Sequence, residues 1–487
     1  MAGETPAFLS GLLWFMTIEF PRSVDSIVYE WRKWEMEQKN ELLEGRVGST
    51  LLKFAAPFML ASFLQALYGA VDLLVVGQYT GSAAVSAVAI GSQIMQTVTG
   101  IILGISTGGT VLIARRIGEK NPEGAAQAVG NLTILFIVLA CVSAPLLLIF
   151  NHQAVALMET PVEAVVDARQ YVFICSCGIP FIIGYNAVSG IFRGIGDSKT
   201  PVYFIVIACA VNIVGDFILV GGLKMGAAGA ALATTMAQMI SFLAFLIYMR
   251  KKGLPFAFGR QHIRFEKSDM LSILKVGFPL ALQDALVNVS FLTITAILNS
   301  LGLIVSAAVG VAEKIMGFAF LPAGAFASAV ATMSAQNLGA KKLRRARSSY
   351  YHGMLYAFIF GCAICGFSQL FPELLPRLFS KDEAVIAAAG QYMRSYTIDC
   401  ILVSFVFCTN SYFSAYGKAM ISFIHSMIAT FCVRIPATYF LSRYVTDSLY
   451  AMGFAAPAAS LISIIICVFV LHRLHRGVDF YENERKI

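Results

Sequence analysis

The chain has 487 residues, of which 58% are hydrophobic and only 13% charged, with a mean hydropathy of +0.74. A typical globular chain is about 45–50% apolar and about 25% charged, so this one lacks the charge to cover a water-exposed surface, and soluble domains are excluded. The net charge of +8 reads, in such a chain, as basic cytoplasmic loops rather than as a nucleic-acid footprint. An outer-membrane β-barrel is excluded as well. Its strands would alternate polar and apolar residues, whereas the apolar runs here are continuous and of the ~20-residue length that carries a helix across a ~30 Å hydrocarbon layer.

In chain order, residues 1–45 form an N-terminal extension. Phe8 to Ile18 is apolar but too short to cross a bilayer, and Glu4 stands before it where a signal peptide would be basic. The expectation is that translation starts at Met36. Twelve spans follow, at roughly 51–78, 86–114, 125–150, 166–192, 200–221, 226–249, 269–299, 303–333, 348–371, 386–415, 419–441 and 451–472. The longest hydrophilic gap, 251–268, separates a first lobe (46–250, spans 1–6) from a second (269–475, spans 7–12), and 476–487 form a tail. The fold class is therefore an all-α integral membrane protein with twelve transmembrane helices.

Loops after even-numbered spans are rich in cations, among them Arg115, Arg116, Lys120, Arg250, Lys251, Lys252, Lys341, Lys342 and Arg344. Loops after odd-numbered spans hold only Lys224, Arg377, Lys381 and Arg443. The positive-inside rule then places both termini in the cytoplasm, which an even number of spans allows. The ten cysteines all fall inside apolar runs, where cysteine acts as a small hydrophobe. Cys362 and Cys365 spell a CxxC with no second pair or histidine beside it, so no metal or redox centre is expected.

The halves repeat. Lys53 and Pro57 correspond to Lys275 and Pro279, and Ile94-Met95 to Ile315-Met316. Ala114, Gly118 and Ala125 correspond to Ala335, Gly339 and Ala346, and Phe192 and Gly196 to Phe413 and Gly417, in nearly one register. Six spans per half give both halves one orientation, related by a pseudo-two-fold along the membrane normal, a symmetry of secondary transporters.

A charge at the bilayer centre costs about 2.5–3.5 kcal/mol on insertion scales. Asp72, Asp216, Asp284, Glu313, Lys314, Arg394, Asp399 and Arg434 lie well inside spans. Gln65, Tyr68 and Asp72 share one helical face, as do Asn212 and Asp216, and Thr234 and Gln238. These oxygen groups suit a hard cation or, with two carboxylates, a proton; a buried hydrogen-bond network that only joins helices is the bland alternative. In the second half, Gln283, Asp284, Asn288, Glu313, Lys314 and Arg434 read first as internal ion pairing and otherwise as a second coupling or substrate-recognition site. Arg434 precedes Pro436 and could instead satisfy carbonyls freed by the kink. The prolines Pro57, Pro180, Pro279, Pro322 and Pro436 interrupt spans as tolerated kinks or as hinges. DDxxD and HExxH strings are absent, so no prenyltransferase or zinc-protease chemistry is expected.

The runs LLKFAAPFMLASFLQALYGAVDLLVVGQYTG (51–81), IFRGIGDSKTP (191–201), VNIVGDFILVGG (211–222), GAAGAALATTMAQ (226–238) and AQNLGAKKLRRAR (335–347) resemble the multidrug and toxic compound extrusion (MATE) family, in feel its bacterial sodium-driven, DNA-damage-inducible F-like branch. The resemblance covers about residues 42–475. It implies two pseudo-symmetric six-helix lobes around a central cavity in a bacterial inner membrane. It also implies a monomeric antiporter, not an enzyme and without an organic cofactor, that exports organic cations or amphipathic drugs against Na⁺ or H⁺. By resemblance Asp72, Asn212, Asp216 and Thr234 are the coupling-ion ligands and Pro57 the kink proline. The second lobe departs from the branch that uses a glutamate in the seventh helix, because the nearest acid is Asp284, and Lys314 stands where arginine is common. A lipid or lipid-linked oligosaccharide flippase of the same superfamily is the alternative.

Overall fold

The computed structural model describes residues 42–445 and 448–484; the extension with its expected start at Met36 lies outside them. The described residues form an all-helical chain with twelve helices long and apolar enough to cross a membrane. They are Val47–Tyr79, Ser82–Gly118, Pro122–Ile149, Val162–Ile195, Thr200–Gly222 and Gly226–Lys252, then Lys267–Asn299, Leu303–Gly339, Leu343–Leu370, Ile398–Ala415, Ala419–Tyr444 and Leu449–Arg476. Local chemistry sets their ends. The Asn121 carboxamide accepts from the Gly124 N–H at 2.8 Å, and Pro122 opens span 3 where no N–H is needed. Gly196, at φ +105°, closes span 4 in the left-handed conformation that glycine adopts without strain.

Two expected spans are interrupted. The eighth breaks at Phe320, just before Pro322, into Leu303–Ala319 and Leu321–Gly339, because a proline ring cannot continue the preceding ladder. In place of one tenth helix there are Glu383–Tyr396 and Ile398–Ala415. Thr397 stands at the break, with its N–H and hydroxyl both bonded to the Met393 carbonyl at 2.8 Å. Spans 5 and 11 each contain a π-helical stretch, Phe217–Gly222 and Ile428–Arg434. Asp216 directly precedes the first, and Arg434 ends the second, two residues before Pro436. Such stretches re-aim side chains and recur at functional positions.

The chain divides into two compact units, but not at the 251–268 loop. One contains Leu60–Ala281, the other Gly45–Met59 and the chain from Leu282 onward. Each boundary thus lies inside a helix, two residues beyond a proline, Pro57 in span 1 and Pro279 in span 7.

In the first unit span 4 is central, packed by spans 2, 3 and 6. The first turns of span 7 belong here and lie against span 2 at Gly104 and Gly108. A Cβ on Gly104 would meet the Ala281 backbone, and one on Gly108 the Ile273 carbonyl, so glycine permits the close approach. The linker before span 7 is fastened to this unit. Phe256 and Phe258 are buried, the Glu266 N–H donates to Asn131 Oδ1 at 2.8 Å, and His262 Nε2 lies 3.2 Å from a Glu123 carboxylate oxygen. Arg116 Nη2 donates to the buried Asp269 at 3.0 Å. In the second unit Ile398–Ala415 is the inner helix, packed by spans 8, 9 and 12.

Candidate functional site

The polar centre of the first unit is built by spans 1, 5 and 6. Span 6 opens on Gly226-Ala-Ala-Gly-Ala-Ala, and these small, mostly buried residues let span 5 approach; a Cβ on Gly215 would stand 3.0 Å from that of Ala233. Span 1 presents Asp72 from the third side. Asp72, Asn212 and Asp216 are 4%, 1% and 0% exposed, and Thr234 is half-buried. Asn212 Nδ2 donates to Thr234 Oγ1 at 3.3 Å, and Thr234 Oγ1 donates to Asp72 Oδ2 at 3.1 Å. Asp216 adjoins Asp72. On the same faces, Gln238 Nε2 donates to the Tyr68 hydroxyl at 3.4 Å.

The chain supplies too few donors for this many acceptors. Asp72 Oδ1, Asn212 Oδ1 and both Asp216 oxygens are buried without a hydrogen-bond partner. Buried polar atoms are nearly always satisfied, and a buried carboxylate without a counter-charge costs several kcal/mol. Four buried acceptor oxygens with no cationic side chain bonded to them have the chemistry that suits a hard cation or a shared proton. Among the described residues no three His, Cys, Asp or Glu side chains cluster as a transition-metal centre would. The four residues predicted as coupling ligands are therefore brought together from three helices.

The second unit holds a different cluster. The Tyr396 hydroxyl donates to Glu313 Oε2 at 3.2 Å and accepts from Arg434 Nη2 at 3.1 Å. The Arg434 guanidinium lies 4.2 Å from the Phe291 ring centroid. Asp399 is 5% exposed, with Oδ1 lacking a hydrogen-bond partner, and is an electrostatic neighbour of Arg434. The predicted acid–base pairing is thus relayed through a tyrosine. Arg434 does not cap freed carbonyls; its own carbonyl accepts from Thr438 Oγ1 at 2.9 Å. Lys314, Arg394 and Asp284 are exposed and Asn288 is half-buried; none of them joins this chain of contacts. The Gln283 carbonyl oxygen is buried without a partner. Tyr396 escaped sequence reasoning, since a tyrosine in an apolar run carries no charge to draw attention.

The MatE family profile matches twice, at residues 57–218 and 279–440, the repeat already visible in the register of the halves. The chain belongs to the MatE family. Among its relatives, "Probable multidrug resistance protein YoeA" of Bacillus subtilis is 26% identical over 420 residues, covering 85% of this chain and 91% of that protein. "Multidrug export protein MepA" of Staphylococcus haemolyticus is 24% identical over 434 residues, covering 88% and 95%. A crystal structure of a MATE protein in complex with MaL6 superposes with a TM-score of 0.84 at 22% identity, covering 91% of this chain and 99% of the other, which establishes the fold. The protein is a multi-pass membrane transporter of this family, not an enzyme.

Proposed function

We propose that this protein is a plasma-membrane antiporter that exports small organic cations or amphipathic drug-like molecules in exchange for Na⁺ or H⁺, acting as a monomer with both termini in the cytoplasm. The observation that carries the coupling is the set of orphaned acceptor oxygens on Asp72, Asn212 and Asp216. An inward-moving cation supplies the positive charge those oxygens lack. Thr234, bonded to both Asp72 and Asn212, holds the ligands together between turnovers. Span 1 carries Asp72 and also Pro57, ~4 turns earlier. Filling the site alters the packing of the outer part of span 1, and Pro57 is the hinge at which the change is taken up. Membrane potential adds about 2.3 kcal/mol per charge per 100 mV, which with a chemical gradient drives export against a substantial concentration ratio. Relatives described as a probable multidrug resistance protein and a multidrug export protein support the cargo class.

A flippase for lipid-linked oligosaccharide would need basic groups for a pyrophosphate, and the buried site of the first unit is acidic. Ethidium uptake into everted vesicles, whose cytoplasmic face is outward, driven separately by Na⁺ and by pH gradients, tests the reading. One of the two gradients is expected to drive export by the wild type. Asp216→Asn is expected to be made at normal levels and to have lost that drive; normal gradient-driven uptake by this variant would remove Asp216 from the mechanism.

A further inference from the structure

We infer that Arg434 is a resident cation. Its guanidinium fills, within the second unit, a box of acidic and aromatic groups that would otherwise take a small planar organic cation. Both units hold a pair of carboxylates in helices, the buried Asp72 and Asp216 in one and the half-buried Glu313 with the buried Asp399 in the other. The pairs differ in what compensates them. Asp72 accepts from Thr234 alone, and Asp72 Oδ1 and both Asp216 oxygens have no partner, so their charge is left for something from outside. Around Glu313 and Asp399 the compensating charge is already part of the chain.

The fit of Arg434 is that of a ligand in a site. One face of its guanidinium covers Phe291 at 4.2 Å, the arrangement in which a delocalised cation is held by a ring's negative face. One edge donates to the Tyr396 hydroxyl at 3.1 Å, which passes its own proton toward Glu313 at 3.2 Å. Asp399, with an unpartnered buried oxygen, adds a second negative charge nearby. The backbone is arranged to put it there. The π stretch Ile428–Arg434 ends on this residue, and the break at Thr397 sets Tyr396 and Asp399 at the ends of two separate helices. Neither irregularity is needed to cross a membrane. The consequence is that, among the described residues, the cluster around Glu313 and Tyr396 is already occupied by the chain's own cation. The inference goes beyond the proposed antiport and does not depend on it, because its test reads binding alone.

The test uses the full chain in detergent, with guanidinium chloride at low millimolar concentration as the probe and NaCl at matched ionic strength as the control. Thermal unfolding is the readout. The R434A variant vacates the box. It is expected to melt below the wild type and to regain several degrees with guanidinium but not with NaCl, while the wild type does not respond. R434Q, which keeps a donor for the Tyr396 hydroxyl without the charge, serves where R434A is too unstable to purify, with the same expectation. Adding E313Q to either variant is expected to abolish the response. Equal guanidinium responses in wild type and variants would overturn the inference. So would no response in either variant, or failure of both to fold whether or not guanidinium is present, since the free cation would then not replace the side chain.

Discussion

Asp216 has neither carboxylate oxygen bonded and is fully buried, so the charge it carries must be answered by a bound ion or a proton. A coupling ion is therefore expected to stabilise the folded protein. At about 100 times its dissociation constant, a ligand specific for the native state adds about 2.7 kcal/mol, readable as a rise in melting temperature in detergent. In Asp216→Asn the affinity is expected to fall about tenfold or more, the equivalent of ~1.4 kcal/mol, and the rise to shrink at the same ion concentration. An unchanged rise would place the ion elsewhere. Tyr396 has the opposite character, since its hydroxyl is engaged on both sides. Tyr396→Phe leaves the Glu313 and Arg434 groups facing each other without their bridge and is expected to destabilise the second unit by about 1–3 kcal/mol. A melting temperature equal to wild type would show that the two groups pair equally well unaided.

The informative elements are the irregular helices. A straight α-helix would suffice for crossing lipid, yet Asp216 and Arg434 stand at junctions of α and π winding, and Tyr396 and Asp399 flank a break. Span 7 illustrates how close packing constrains an element. Its first turns approach span 2 so closely that Gly108 has no room for a side chain. Gly108→Ala puts a methyl group against the Ile273 carbonyl and is expected to cost about 1–3 kcal/mol, the range for overpacking. The yield and melting temperature of the purified variant measure it; a neutral result would mean that the two helices separate easily at this point.

For the whole molecule the decisive quantity is the distribution of charge along the chain. By the positive-inside rule the basic loops after even-numbered spans predict that the termini and the 251–268 linker lie in the cytoplasm. A fluorescent protein fused to the C-terminus is expected to fluoresce, and a phosphatase active only outside the cytoplasm is expected to work when fused in the loop at Lys224 and not when fused after Lys252. The reverse pattern would invert the topology. The linker itself is held by hydrogen bonds and buried aromatics against the first unit, although its composition reads as an ordinary hydrophilic loop. Likewise the boundaries of the compact units fall beyond Pro57 and Pro279 rather than in the linker, because membership follows packing and not hydropathy.

Composition and hydropathy determined that the chain is an all-helical membrane protein of twelve spans, and residues matched in register, such as Pro57 and Pro279, that its halves repeat. The lipid core imposes a continuous apolar run on every crossing helix, and no partner elsewhere is needed to read it. The polar residues of the first-unit cluster were legible for a related reason: a carboxylate in an apolar run is costly, so Asp72 and Asp216 mark themselves, and helical spacing sets Asn212 beside Asp216 and Thr234 beside Gln238. Only the tertiary structure decided that Asp284 and Lys314 stand apart, that Tyr396 joins Glu313 to Arg434, and that two spans break and two wind as π-helices. Those outcomes depend on which faces of helices distant in sequence meet, and spacing along one helix carries no record of what lies across from it.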